Sequence, residues 1–291
     1  MRVLVTGAGG FVGQCVAGAL ADAGRPVLAG VHRSVPADLA ARDAIDVLPF
    51  DLAAEDELDL AGRIDAVVHC AAALPSTVSD PAVLYRTNVN GMKRLLTAAV
   101  KAGAKRFVNC SSMSIYGRIA VPVVRVDTPS VEPDAYGRSK LDCEALLADT
   151  ASSHGLAALS IRLPGIVGRG SHDNFLSNVM ARILAGEPIQ ARNPDALFNN
   201  IVHVDDLTRF ILGQLQSLDA GHRATTIAAD EPLPIRQAMA LLFATAGRPE
   251  NIRYSEGGAP FLIDTEPARA LGFAVPTTAS SLRRFAEDCA A

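Results

Sequence analysis

The sequence predicts an α/β fold, a doubly wound parallel sheet with a smaller carboxyl-terminal lobe, and three observations carry that expectation. The chain opens with a short apolar strand, Met1-Arg2-Val3-Leu4-Val5, that runs straight into the glycine-rich turn Thr6-Gly7-Ala8-Gly9-Gly10-Phe11-Val12-Gly13. Strand-like and helix-like stretches then alternate through the first half, which calls for a parallel sheet covered on both faces. In the second half Pro188, Pro194, Pro232, Pro234, Pro249, Pro260, Pro267 and Pro276 break the chain into short pieces.

Taken in order, the first strand, its glycine turn and the apolar run to Leu20 form a dinucleotide cradle of the Rossmann type. One glycine permits the tight turn, another lets a pyrophosphate approach the backbone, and a third lets helix pack on strand. The phosphates would lie on the helix's first N–H groups, around Phe11 and Val12. Gly7, Gly10 and Gly13 are spaced three and three, where two and three is commoner. Val27-Leu28-Ala29-Gly30-Val31 reads as the second strand and ends in His32-Arg33-Ser34. No acid stands there to hold an adenosine ribose, and Arg33 favours NADP over NAD by offering a cation to the 2′-phosphate. Asp51, followed by Leu52, is placed to accept from an adenine amino group or else to cap a helix.

Ile64 to Ala73 is a fourth-strand candidate whose small tail, Ala71, Ala72 and Ala73, leaves room for a flat cofactor. Thr87-Asn88-Val89-Asn90-Gly91 opens a helix running from Met92 to Ala102. The next strand, Lys105 to Cys110, ends in Ser111-Ser112-Met113-Ser114-Ile115-Tyr116-Gly117. Ligands of open α/β sheets bind outside the strands' carboxyl ends, so hydroxyls at Ser111, Ser112 and Ser114 stand where a substrate would lie; serines there also serve as turn formers. Tyr136 and Lys140 are four apart, which on a helix puts both on one face. A phenol beside an ammonium is a proton-transfer device, because the positive charge favours the ionised phenol.

With 291 residues, 49% hydrophobic composition and no long uninterrupted apolar span, the chain reads as a globular protein without a membrane segment. A net charge of −4 offers no basic footprint and excludes nucleic acid as the main partner. The five cysteines, Cys15, Cys70, Cys110, Cys143 and Cys289, have no metal-ligand spacing and read as reduced buried thiols, which together with a first strand at residue 2 predicts the cytoplasm. No metal is expected.

These motifs together resemble the extended short-chain dehydrogenase/reductase family, its NAD-dependent epimerase/dehydratase group. The resemblance runs through the Thr6-to-Gly13 loop, Asp51-Leu52, His69-Cys70-Ala71-Ala72-Ala73, Asn88-Val89-Asn90-Gly91, Ser111 to Gly117 and Tyr136-Gly137-Arg138-Ser139-Lys140. It continues in Arg162-Leu163-Pro164-Gly165-Ile166-Val167-Gly168 and Ile201 to Leu207. It implies Ser112, Tyr136 and Lys140 as catalytic residues, with Lys140 also holding the nicotinamide ribose. It implies cofactor contacts at Gly7, Gly10, Phe11, Val12, Gly13, Arg33, Asp51, Leu52, Ala71, Ala72, Ala73, Asn88, Tyr136, Lys140 and Pro164. In that chemistry Tyr136 exchanges a proton with a substrate oxygen while hydride moves between the nicotinamide and the carbon bearing it, and Ser112 hydrogen-bonds the oxygen.

Departures narrow the substrate. Met113-Ser114 replace the Asp-Glu pair of dehydratases, which argues against dehydration. Gly165 and Asn199-Asn200 replace groups that nucleotide-sugar members use on a diphosphate. Arg169, His172, Asn174, Arg182 and Arg192 remain candidates for that task; Asn174 and Phe175, with Ser114, are the substrate candidates, although Asn174 also reads as a helix cap followed by core. His203 reads as structural.

The expected dinucleotide-binding domain is 1–168 plus about 201–227, with a substrate lobe in 169–200 and 228–291. The expected function is an NAD(P)-dependent oxidoreductase or epimerase acting by hydride transfer at a secondary alcohol or carbonyl of a sugar-derived or other small substrate. A nucleotide-sugar 4-epimerase is the specific alternative. An NAD(P)-sensing binding protein without catalysis is the alternative of another class, and a structural scaffold has only fold-level analogy behind it. A homodimer is expected from the family's paired helices, with Leu95, Leu96, Leu141 and Leu146 placed either at that interface or in the core.

Overall fold

The apolar run after Met1 becomes strand β1, Val3–Thr6, within a seven-stranded parallel sheet in the computed structural model, which describes residues 1–60 and 62–290. Ala61 and Ala291, each inside a domain range assigned above, lie outside the described residues. On one side of β1 come β2 (Val27–Val31) and β3 (Ile45–Pro49), and on the other β4 (Ala66–His69) and β5 (Arg106–Ser112). Strands β6 (Ala157–Leu163) and β7 (Gly221–Thr226) extend the sheet to the order β7-β6-β5-β4-β1-β2-β3. β1, β2 and β4 are buried along their whole length, as continuous apolar runs in a sheet covered on both faces must be. β3 was not legible beforehand: it is an edge strand with exposed Asp46 and Val47, so it lacks that signature.

The strand order reverses between β1 and β4, the switch point where such sheets take ligands. Parallel register sets Thr6 level with Gly30 on β2 and with His69 on β4, and His69 level with Asn109 on β5. The carboxyl ends that surround the switch point are therefore those of Thr6, His69 and Ser112.

Helix α1, Phe11–Asp22, follows the glycine turn as expected. Helix α2 is Pro81–Lys101, so it starts well before Met92. The Asp80 side chain accepts from Ala82 and Val83 N–H and Pro81 occupies the first turn, a complete start signal that the glycine at 91 had masked. Gly91 lies mid-helix because a Cβ there would stand 2.4 Å from Leu52 Cδ2. Helix α3, Ala135–His154, is capped by Asp134 and stopped by Gly155 at φ 64°. Leu4, Ile64, Val67, Met92, Phe107 and Leu147 anchor the core of this unit. Leu95 and Leu96 belong to that core, which removes both from the possible dimer contacts.

The first compact unit comprises Met1–Gly117, Ser130–Arg162 and Thr208–Thr225; the second comprises Arg118–Pro129, Leu163–Leu207 and Thr226 onward. The segment 118–129, expected with the first half, belongs to the second unit because Val123–Val124 pair in parallel with Leu262–Ile263. The second unit holds α4 (Phe175–Ala185), α5 from Val204 to Leu207 (α5 is Val204–Ser217), α6 (Ile235–Thr245) and α7 (Thr278–Ala290). Its core joins Val167, Met180, Ile189, Leu242, Phe243 and Phe285. His203, as expected, is structural: it is buried with Nε2 2.9 Å from Asp288 Oδ2. Among the described residues no helix is long and apolar enough to cross a membrane.

Candidate active site

The glycine turn is packed so closely that side chains are excluded from it. Gly7 sits at φ 70°, and a Cβ on it would meet Ala71 N at 2.7 Å and the Cys70 carbonyl carbon at 2.9 Å. A Cβ on Gly13 would stand 2.1 Å from the Gly7 oxygen, so the first turn of α1 can close on the loop only with glycine there. Gly10 N–H donates to Gly7 O at 2.9 Å, and Gly10 leads into α1 without any side-chain cap. The first N–H groups of α1, beginning at Phe11 and Val12, thus lack a carboxylate of the protein's own, which fits an anionic ligand such as a pyrophosphate.

Below the loop, Thr6 Oγ1 and His69 Nδ1 lie 2.7 Å apart across the switch point. Burial, and then the charge of Lys140, push His69 down to about 3, so the imidazole is neutral. Ala71 and Ala72 are half-buried and Ala73 buried, keeping the strand tail thin beside Gly7.

Asn88 is engaged within the protein. It is 3% exposed; Oδ1 accepts Ala73 N–H at 2.7 Å, while Nδ2 donates to Ala73 O at 3.1 Å and Ser139 Oγ at 3.0 Å. Both donors are used within the protein. The Ser139 hydroxyl in turn donates to the Tyr136 carbonyl at 2.8 Å. Asn88 therefore clamps the tail of β4 to the first turn of α3.

That turn carries Tyr136 and Lys140. The Asp134 carboxylate accepts Gly137 N–H at 2.7 Å, which starts the helix one residue before the tyrosine. A Cβ on Gly137 would lie 2.1 Å from the Ser114 oxygen, so this glycine lets α3 lie directly against the turn after β5. Lys140, 4% exposed, donates to the Cys110 carbonyl at 2.9 Å, with Nζ 5.7 Å from the centre of the Tyr136 ring. Burial works against its charge, but the neighbouring Tyr136, Cys143, Cys110 and Cys70 outweigh this and hold its pKa above the usual lysine value. Ser112 ends β5 half-buried; its Oγ accepts Ser114 N–H and donates to Ser114 Oγ, both at 3.1 Å. Ser112 and Ser114 are thus joined to each other, and both lie beside the start of α3.

Two charged residues beneath this turn were not singled out from the sequence. Arg162 on β6 donates to Glu144 on α3 through Nη2 at 2.8 Å and Nε at 3.2 Å, and through Nη1 to the Tyr116 hydroxyl at 2.8 Å. Ser111 Oγ donates to Glu144 Oε1 at 2.5 Å. An arginine amid the apolar strand Ala157–Leu163 was the available signal, since a charge rarely enters a core without its partner.

Just past the carboxyl end of β2, Arg33 is exposed. Asp51 serves a turn, accepting Ala53 N–H at 2.9 Å, and lies 3.5 Å from His32; no helix follows it. Leu52 packs over Gly91.

The remaining candidates lie in the second unit. Asn174 caps α4, accepting Ser177 N–H at 3.0 Å and donating to Ile166 O at 3.1 Å. Phe175 is 51% exposed, whereas Leu176 is core. Pro164 is half-buried between β6 and the short strand Gly165–Val167. The Arg169 N–H donates to Asp288 at 3.2 Å, Arg182 pairs with Glu187, and His172 and Arg192 are exposed. Asn199 is buried and exchanges hydrogen bonds with the Ile263 backbone at 2.9 and 3.0 Å, which explains an asparagine where a charged pair was sought.

Comparison with known proteins agrees with this geometry. The sequence pattern of the NAD dependent epimerase/dehydratase family matches residues 3–228. A UDP-glucose 4-epimerase of Azospirillum brasilense is 34% identical over 178 residues, 57% of this chain and 49% of that protein. A dTDP-4-dehydro-6-deoxy-D-allose reductase of Streptomyces bikiniensis is 28% identical over 283 residues, 89% of this chain and 86% of that one. Among solved structures, MoeE5 in complex with UDP-glucuronic acid and NAD superposes with a TM-score of 0.84 at 27% identity, covering 99% of this chain and 98% of that chain.

Proposed function

The chain belongs to the NAD-dependent epimerase/dehydratase family, and from that premise we propose that Ser112, Tyr136 and Lys140 carry out proton transfer at a secondary alcohol or carbonyl of a sugar-derived substrate. The enzyme is an NAD(P)-dependent oxidoreductase or epimerase of the extended short-chain dehydrogenase type. The observation that carries the assignment of residues is the joint between α3 and β5: Gly137 against Ser114 brings the Tyr136 turn beside Ser112, and Lys140 is anchored on the strand's own Cys110 carbonyl.

The nicotinamide, when bound, supplies or accepts hydride at the carbon bearing the reacting oxygen. The Gly7–Gly13 loop and the amino-terminal end of α1 hold the pyrophosphate. Tyr136 takes the substrate proton or returns it, Ser112 turns its hydroxyl from Ser114 to donate to the same oxygen, and the Lys140 ammonium lies beside the Tyr136 ring. The thin Ala71–Ala73 tail leaves space beside the loop, and Asn88 holds that tail in place from behind. Arg33, exposed beyond β2 with no acid beside it in sequence, receives the 2′-phosphate of NADP. Tyr136→Phe should remove most turnover, about 100-fold or more, while leaving cofactor binding within a few-fold; a fully active variant measured by nicotinamide absorbance would refute the assignment. Arg33→Ala should weaken NADP far more than NAD in calorimetry, and equal losses would remove the NADP preference.

A nucleotide-sugar 4-epimerase is the second reading, supported by the UDP-glucose 4-epimerase relative. Product formation without net cofactor turnover would favour it, and net turnover would favour a dehydrogenase or reductase. We assign the substrate lobe to the second unit, with exposed Phe175 beside the Asn174 cap as its first contact. A homodimer through α2 and α3 would draw on Leu141, since Leu146 packs against the core of the first unit.

A further inference from the structure

Cys70 and Cys110 face each other directly outside the last residues of β4 and within β5. The register His69 with Asn109 makes them the next pair across a parallel ladder, and their sulfurs are 3.6 Å apart. Neighbouring strands stand about 4.8 Å apart, which falls inside the Cα separation a disulfide accepts. No disulfide joins the five cysteines, and the sulfurs of Cys70 and Cys110 are in contact. Cys110 is 6% exposed, whereas Cys70 is partly open at the strand ends. We propose that Cys70 and Cys110 form an oxidation site that closes to a disulfide under peroxide and shuts down the neighbouring catalytic residues.

The two thiols sit in different fields: contact with Cys70 lowers the Cys110 thiol, burial opposes this and the nearby Lys140 ammonium adds to it, while contact with Cys110 and burial raise Cys70. Cys110 is therefore taken as the nucleophile. The Cys110 thiolate attacks one oxygen of hydrogen peroxide, the O–O bond breaks, and the hydroxide released takes up a proton and leaves as water. The sulfenic acid so formed is attacked by the Cys70 sulfur, which displaces hydroxide; that hydroxide takes the Cys70 proton and leaves as a second water. Two thiols thus give two electrons to one peroxide.

Closure matters because both backbones are already engaged. The sulfurs must approach by about 1.5 Å to reach bonding distance. The Cys110 carbonyl holds Lys140, and the Cys70 carbonyl carbon lies against Gly7 of the phosphate loop. Closing the bond locks the side chains of the two residues whose backbones touch the lysine and the loop, and through those two contacts it reaches the site. The effect on turnover rests on the catalytic reading above; the chemistry of the pair does not.

The test treats the purified full-length protein with hydrogen peroxide, then counts thiols after denaturation and maps linked peptides without reduction. The expected result is loss of two of the five thiols, a Cys70–Cys110 linked peptide, turnover about 100-fold lower, and recovery with dithiothreitol. Cys70→Ser and Cys110→Ser, each measured against its own untreated rate, should lose the linkage and the reversible inactivation; Cys143→Ala should keep both. A link from Cys15 to either residue, irreversible oxidation without a link, or inactivation of Cys70→Ser that dithiothreitol reverses would overturn the proposal. A linked peptide formed without any change in turnover would overturn its claim on catalysis, and absence of turnover before treatment would count against the catalytic reading alone.

Discussion

His69 shows how much one residue depends on what surrounds it. Its sequence context, a histidine ending an apolar strand, leaves open a base, a ligand or a core residue. In the structure it is buried and shares a hydrogen bond with Thr6, and the folded chain refuses its proton down to about 3. The unfolded chain accepts that proton near the ordinary value of about 6.5. Below that value the unfolded state therefore binds more protons, and stability falls as pH drops, by about 1.4 kcal/mol per unit once well into the window between the two values. Urea unfolding of the wild type and of His69→Gln at pH 7, 6, 5 and 4 measures this: the variant's pH dependence should be the shallower, and parallel curves would show that His69 is not the group involved. Ser112, Tyr136 and Lys140 could be proposed from sequence because their residue types and spacing suggest their chemistry. Glu144 and Arg162 could not, because an ion pair formed between residues 18 apart in sequence has no local pattern.

At the scale of elements, the start of α3 decides whether the phenol is held. Asp134 caps the helix through Gly137 N–H, and Tyr136 follows two residues after the cap. Asp134→Ala should cost about 1 kcal/mol of stability, seen as a lower urea midpoint, and should lower turnover more than cofactor affinity because the first turn of the helix frays. Equal loss of both would indicate a general weakening of the fold. The helix boundaries themselves were read with mixed success for a physical reason. α1 follows a strand and a glycine turn and was visible from both; the start of α2 is written in Asp80-Pro81, outside the motif that drew attention to residues 87–91. Gly91 imitates a helix start but exists to admit Leu52. β3 lies at an edge and is half-exposed, so its apolar signal is weak.

In the molecule as a whole, the first unit is tied together by the buried Glu144–Arg162 pair, which joins α3 to β6 and reaches Ser111 and Tyr116 on either side of Ser112. Removing one partner strands the other charge. Glu144→Leu should destabilise by about 3–5 kcal/mol, and adding Arg162→Leu should restore a large part of that, since removing both charges leaves no uncompensated ion. Equal stability of the single and double variants in urea unfolding would show the pair to be energetically idle.

The sequence by itself determined the chemistry and the class of fold. A glycine loop after a strand, a Tyr and Lys four apart and a serine at a strand end are local patterns, and local geometry follows from φ preferences and helix periodicity alone. Only the tertiary structure decided which side chains serve the site and which support it. Asn88 clamps the tail of β4, Asn199 braces Ile263, Leu95 and Leu96 lie in the core, and 118–129 pairs within the second unit. Each of those outcomes depends on a partner far away in the chain, and a partner's position is set by packing that no stretch of sequence records.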